Sequence, residues 1–245
     1  MSVTRCFVLA SLVLTWIMIT TALSADQTES FWERLLRITG ISATSRHQKG
    51  PGDVHDTGDI WVANVTHHTR QRLTWDGGYR SPVFEPGDEH ILALKGESLI
   101  RLSASGGDPE SRYILRGALK LVGFNKDNQD QVLLLRDDAE GQLAVGLLSL
   151  QSGKVVPLPY DPRSTKDRDM LSQLKGWSRT YGDNTTVYIK QVTQQTMAGR
   201  VQSTDIYIKQ PNQAPVNLSK CQEVSCGQPS LSHDGERVVF IKLKP

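Results

Sequence analysis

Asp53, His55, Asp56 and Asp59 form the densest cluster of carboxylates and imidazoles in the chain. Hard oxygen ligands at such spacing could hold a divalent cation, which for calcium means six or more oxygens. The stretch is also rich in turn formers, where Asp caps and turns the backbone, and that is the reading adopted. His67 and His68 stand side by side between two strand-like runs and read as a solvated hairpin tip. The sequence contains no Gly-x-Ser-x-Gly elbow, no His-Glu-x-x-His pair and no Gly-x-x-x-x-Gly-Lys-Ser/Thr loop. No catalytic, cofactor-binding or metal-binding residue is therefore assigned. An enzyme built on this chain would need ionisable groups converging from several repeats. Asp59, His90, Glu97 and Asp205 are the candidates for a hydrolase or lyase working from a central tunnel.

Thiol chemistry is confined to Cys6, Cys221 and Cys226. Cys6 lies in an N-terminal run that carries no charge from Cys6 to Ala25. That run follows the basic Arg5 and ends in the small residues Thr21-Ala22-Leu23-Ser24-Ala25. A basic start, an apolar centre and a small-residue exit are the parts of a secretory signal peptide, here residues 1–25. An uncleaved anchor over residues 6–25 is the alternative, since about 18 to 20 uncharged residues also span a bilayer. Either reading places the remainder outside the cytoplasm, periplasmic or secreted, and touches the membrane only through this segment. The two remaining cysteines, Cys221 and Cys226, are an even number in an oxidising compartment and read as a disulfide. Zinc would need further ligands, and a redox pair would more often show Cys-x-x-Cys.

A 38% hydrophobic and 22% charged composition over 245 residues suits a folded domain. The net charge of +2, with scattered Lys and Arg, gives no stripe for phosphates, so nucleic acid is not expected as a partner. Residues 26–57 divide into a short amphipathic helix and a polar linker. Phe31, Leu35 and Ile38 share one helical face, with Trp32 and Leu36 beside it. The linker runs from Ile41 to Thr57.

From Gly58 to the end the chain repeats itself. Asp59-Ile60-Trp61-Val62-Ala63 alternates as a strand, followed by a polar tip and Arg72-Leu73-Thr74. Ser81-Pro82-Val83-Phe84 then leads through the tight turn Glu85-Pro86-Gly87-Asp88 into His90-Ile91-Leu92-Ala93-Leu94. Pro presets φ at such turns and Gly accepts positive φ without a steric penalty. The first strand type recurs at Glu97–Leu102, Ala144–Leu150 and Thr204–Lys209, and its hairpin partner at Ser111–Leu115, Val155–Leu158 and Pro215–Ser219. The second half of the unit recurs at Leu119–Leu135, at Leu174–Lys190 and, most clearly, at Gln228–Ile241. Trp61, Trp75, Trp177 and Tyr207 are expected to fill the space between sheets.

These residues resemble the TolB-type, WD-repeat-like β-propeller repeats of secreted bacterial proteins, whose blade reads Ser-Pro-x-Trp/Phe-Ser-Pro-Asp-Gly, a strand, Asp-Ile/Leu-Tyr/Trp-Val, a turn, and Leu-Thr. The matching positions are Ser81-Pro82, Phe84, Pro86-Gly87-Asp88 with Gly and Asp in swapped order, Asp59-Ile60-Trp61-Val62 and Leu73-Thr74. Near the end they are Pro229, Ser232, Asp234-Gly235, Asp205-Ile206-Tyr207 and Leu218-Ser219, with His233 where the family has Pro. The resemblance covers about residues 58 to 241 and implies an all-β propeller over 58–245. Because the chain opens with one half-repeat and closes with the complementary half, pairing of its terminal strands would close the ring. That gives about four blades where the family usually has six, with an undetected further blade, a partial ring or a bent stack of sheets as the alternatives. Propellers host many activities. A scaffold that holds a protein or peptide at one face is the function expected, and a tunnel enzyme is the competing one.

Overall fold

The computed structural model describes residues 56–124, 128–137, 143–158, 164–165, 178–180, 184–196, 199–222 and 224–243. The chain divides into two compact units, Met1–Leu35 and Leu36–Pro245, and all the described residues fall in the second. The signal segment, the amphipathic helix, Asp53, His55 and Trp177 lie outside the described residues. Among those described, no helix is long and apolar enough to cross a membrane.

Sixteen strands carry the described chain. They are β1 (Gly58–Asn64), β2 (Arg70–Arg72), β3 (Tyr79–Phe84), β4 (His90–Lys95), β5 (Ser98–Ser103) and β6 (Glu110–Ile114). Next come β7 (Ala118–Phe124), β8 (Gln131–Asp137), β9 (Leu143–Ser149), β10 (Val155–Pro157) and β11 (Ser178–Thr180). The last are β12 (Thr186–Thr196), β13 (Gly199–Lys209), β14 (Val216–Asn217), β15 (Cys226–Leu231) and β16 (Arg237–Leu243).

They form three antiparallel sheets: β7 to β10, β11 to β14, and an eight-stranded one. The large sheet narrows at one place, where β1 and β3 share the single pair Gly58–Tyr79. On one side of that pair β3, β4, β5 and β6 form a meander. On the other side the order is β15, β16, β1, β2, so the last two strands of the chain join the first two. β1 and β16 pair without interruption from Gly58–Leu243 to Asn64–Arg237. Gly58 is required there, because a side chain would collide with the carbonyl oxygen of Lys242. The two half-repeats at the ends of the domain are thus one antiparallel quartet.

Alternation explains why these strands are apolar on both faces. β1 sends Ile60 and Val62 to one side, where Val239 and Ile241 of β16 join them. Ala63 and the partly buried Trp61 go to the other side, with Val238 and Phe240. In β4, Ile91 and Ala93 enter the first of these cores, while Leu92 and Leu94 enter a third with Leu121, Val132 and Leu134. Each core therefore lies between two quartets. Their order in space is β11–β14, then the composite quartet, then β3–β6, then β7–β10. Each fully buried Leu, Ile or Phe contributes about 1.5 to 3 kcal/mol of burial.

β3 and β15 bend alike. Both break register near their Pro, between Arg80 and Val83 and between Gly227 and Ser230. Ser81 (φ 51°) and Gln228 (φ 53°) precede these prolines in the left-handed region. The Gln228 side chain links the two bulges, accepting from the Ser81 N–H and donating to the Asp56 carbonyl.

One expectation fails plainly. Trp75 does not fill the core; it is 67% exposed. Leu73 and Tyr79 take the interior positions on either side of it, and the link between β2 and β3 turns Trp75 outward. Trp61 and Tyr207 are only partly buried.

Candidate functional site

Asp59 and Asp205, named above as tunnel candidates, have a different use. Asp59 is buried on β1, and its carboxylate accepts from the Gly77 N–H at 2.9 Å and the Arg72 Nη2 at 2.7 Å. The Thr74 hydroxyl donates at 3.4 Å to Oδ1, the oxygen that Gly77 also uses, and accepts from the Ile60 N–H at 2.9 Å. Asp205 repeats the arrangement on β13. Its carboxylate accepts from the Ser219 hydroxyl, the Asn217 amide and the Cys221 N–H, while Ser219 Oγ accepts from the Ile206 N–H. The Asp-Ile pair and the later Leu-Thr or Leu-Ser of the repeat are therefore two halves of one tether. It fastens the fourth strand of a quartet and the link that follows. Buried carboxylates are tolerable only when so fully satisfied.

The other two candidates do not join them. Glu97 is exposed in the tight turn between β4 and β5. His90 begins β4, with its Nδ1 4.0 Å from Glu85, whose carboxylate is held by Arg101 through two hydrogen bonds of 2.8 and 2.7 Å. The structure gathers none of the four at one centre. His67 and His68 are exposed at the β1–β2 tip, as expected of a solvated turn. Among the described residues, no cluster of His, Cys, Asp and Glu has the geometry of a metal site. Cys221 and Cys226 are joined in a disulfide at the entry to β15, with Cα atoms 6.2 Å apart.

The surface that does stand out is built around Trp75. Asp59 pins the loop through Gly77, and Arg72 reaches back to the Thr74 carbonyl at 2.8 Å. The Arg72 guanidinium also lies 5.7 Å from the centre of the indole ring. Beside it, Lys95 at the end of β4 pairs with Asp76 and sits 4.6 Å from the centre of the Tyr79 ring. The Lys95 hydrogen bond holds the Asp76 carboxyl below its usual range and raises the Lys95 ammonium in return. Burial pushes the Tyr79 phenol upward. The result is an exposed aromatic face on a braced loop, with guanidinium and ammonium groups alongside. Such a surface binds by stacking, apolar contact and charge. Its signal in the sequence is the position of Trp75, directly after the Leu-Thr that ends a repeat.

No family model matches the chain, and no curated protein matches it. Among solved structures it is similar to the putative TolB of Agrobacterium tumefaciens, at 16% identity over 74% of this chain and 59% of that one, with a TM-score of 0.37. TolB of Acinetobacter baumannii is 18% identical over 83% of this chain and 49% of its own, with a TM-score of 0.33. A variant of the AtxE2 isopeptidase with a bound astexin is 15% identical over 69% and 27%, with a TM-score of 0.31. The chain thus spans less than two thirds of the length of each.

Proposed function

We propose that this chain is an exported β-propeller of four quartets, fastened by its own terminal strands, that serves as a non-catalytic protein-interaction or scaffold module of the bacterial cell envelope. A protein or peptide partner docks at the face that carries Trp75. The observation that carries the reading is the exposure of this indole, two thirds of its surface, on a loop held by Asp59 and Arg72. Large aromatics beside Arg are the residues that dominate binding energy at protein interfaces. Two further observations support it. The Cys221–Cys226 disulfide suits an oxidising compartment. Asp59 and Asp205, which a tunnel enzyme would need, are committed to strand tethers.

The test is capture from envelope extract by crosslinking, with the domain from residue 26 onward as bait and Trp75→Ala as its comparison. A partner that binds the parent and loses roughly thirtyfold affinity for the variant, the scale of an interface hot spot, is the expected result. Identical capture profiles from the two baits would remove Trp75 as the anchor, and no partner with either would remove the reading.

A further inference from the structure

A second surface, whose lining does not include Trp75, lies between the quartets β3–β6 and β7–β10. It is a groove of about 420 Å³, within the size range of built ligand sites. Its floor is Leu115, Ala118 and Leu134, an open end of the core between these quartets. One wall is the link from β6 to β7 through Ile114 and Arg116, and the other is Gly153 and Val155 at the start of β10. The walls are held together, since the Tyr113 hydroxyl donates to the Leu150 carbonyl at 2.6 Å. The Tyr113 ring also fills the space where a side chain at position 153 would stand, and Gly153 has φ 69°.

Three features say what would enter. Ile114, which lines the groove, is 64% exposed and leaves apolar surface open at its mouth. β6 and β10 each end their sheets, so their outer edges pair with no strand among the described residues. The described lining carries two guanidinium groups, Arg116 and Arg136, and no carboxylate. Arg116 is exposed and has no hydrogen bond or ion pair among the described residues, while Arg136 uses only its Nε, on the Asp137 carbonyl at 3.2 Å. The Asp137 side chain falls on the other side of β8 by alternation.

We propose that this groove binds an extended acidic peptide. One of its apolar side chains rests on Leu115, Ala118 and Leu134, its carboxylates meet Arg116 and Arg136, and its main chain runs beside β6 as an added strand. The proposal rests on the reading of the chain as a binding module and supplies a second contact for its partner, independent of Trp75.

The experiment measures fluorescence anisotropy of a labelled peptide alternating valine with glutamate, against the same peptide with lysine for glutamate and against laurate as an anionic amphiphile. The glutamate peptide is expected to bind with a Kd below about 1 mM. Arg116→Glu should weaken it at least about tenfold, the scale of one charge-assisted hydrogen bond, while Trp75→Ala leaves it unchanged. Ile114→Glu, also at an exposed position, should weaken it as well, and thermal melts confirm that both variants stay folded. No binding of the glutamate peptide, equal binding of the lysine peptide, indifference to Arg116→Glu, or binding of laurate alone would each overturn the proposal. If the groove fails while envelope capture still depends on Trp75, the module reading survives without it. If the peptide binds through Arg116 and no Trp75-dependent partner exists, the groove stands and that face does not.

Discussion

Asp88 and His233 meet across the boundary between two quartets, where one oxygen of the Asp88 carboxylate accepts from the His233 N–H at 2.9 Å and lies 3.0 Å from its Nδ1. The other oxygen accepts from the Asp234 N–H at 2.9 Å, and the Asp88 carbonyl accepts from Arg237 Nη2 at 2.7 Å. The two turns that carry these residues fit each other. Placing Asp after Gly87, at φ 61°, aims a buried carboxylate at the neighbouring turn. His233 supplies the N–H that this carboxylate accepts, which a proline at that position would lack.

His233→Pro is therefore expected to destabilise the domain by about 1.5 to 3 kcal/mol, the cost of losing a hydrogen bond to a buried charge. Asp88→Asn should cost a similar amount while keeping a residue that tolerates the left-handed region. The double variant should lose less than the sum, because both changes remove one shared contact. Urea denaturation of the four proteins measures this cycle, and strict additivity would show that the two residues act separately.

Most strands of this fold were legible because they carry a period and a turn signal. β11 and the polar outer parts of β12 and β13, residues 191–196 and 199–203, carry no such signal and were not legible. The terminal pairing was also legible, since Asp59-Ile60-Trp61-Val62 and Arg237-Val238-Val239-Phe240-Ile241 each lack the half that the other supplies. The roles of the acids were not. Asp59 finds Thr74 and Gly77 at separations of 15 and 18 residues, so the tether exists only after β2 has folded back on β1. Its trace was present all the same in the recurrence of Asp59 with Thr74 and of Asp205 with Ser219. Trp75 was misplaced because hydropathy says what burial would gain and not whether a link has access to the core. The groove was invisible because its lining comes from the β6–β7 link, β8 and the start of β10, which alternation alone does not bring together.

The pH dependence of stability follows from two depressed carboxyls. Asp76 is lowered by its hydrogen bond from Lys95. Asp234 is pulled upward by burial, but the Ser232 hydroxyl and the Glu236 N–H outweigh that and the net shift is downward. A carboxyl whose folded value is lowered stabilises the fold above its unfolded value, 3.8, and the contribution disappears as pH falls through the lower folded value. Both groups are largely solvated, so the effect is small and screened by salt. Asp76→Asn and Asp234→Asn should each lower stability slightly at neutral pH, where the carboxylate contributes, and converge with the parent as pH falls well below 3.8, so that the acid limb is flatter. Denaturation midpoints from neutral pH to about pH 2 check this, and variants that parallel the parent throughout would contradict it.

The pairing of β1 with β16 makes the sharpest claim on folding. Phe240 lies opposite Trp61 in the register and is 1% exposed within the core between the composite quartet and β11–β14. Phe240→Ala should cost about 3 to 5 kcal/mol, a large share of the stability of a domain this size. Gly58→Val acts mainly on the backbone: its side chain has no room against Lys242, so the Gly58–Leu243 pair must open, and the buried Ile241 side chain beside it must shift while the rest of the core stays filled. Deleting residues 58–74 removes β1 and β2 together and leaves β16 with an unpaired edge beside a core stripped of Ile60, Val62 and Leu73. If the ends of the domain hold the sheets as one cooperative body, that deletion abolishes a single sharp melt, whereas Gly58→Val lowers its midpoint and preserves its sharpness. Calorimetry of the three proteins separates these outcomes, and a deletion variant that melts like the parent would refute the fastening.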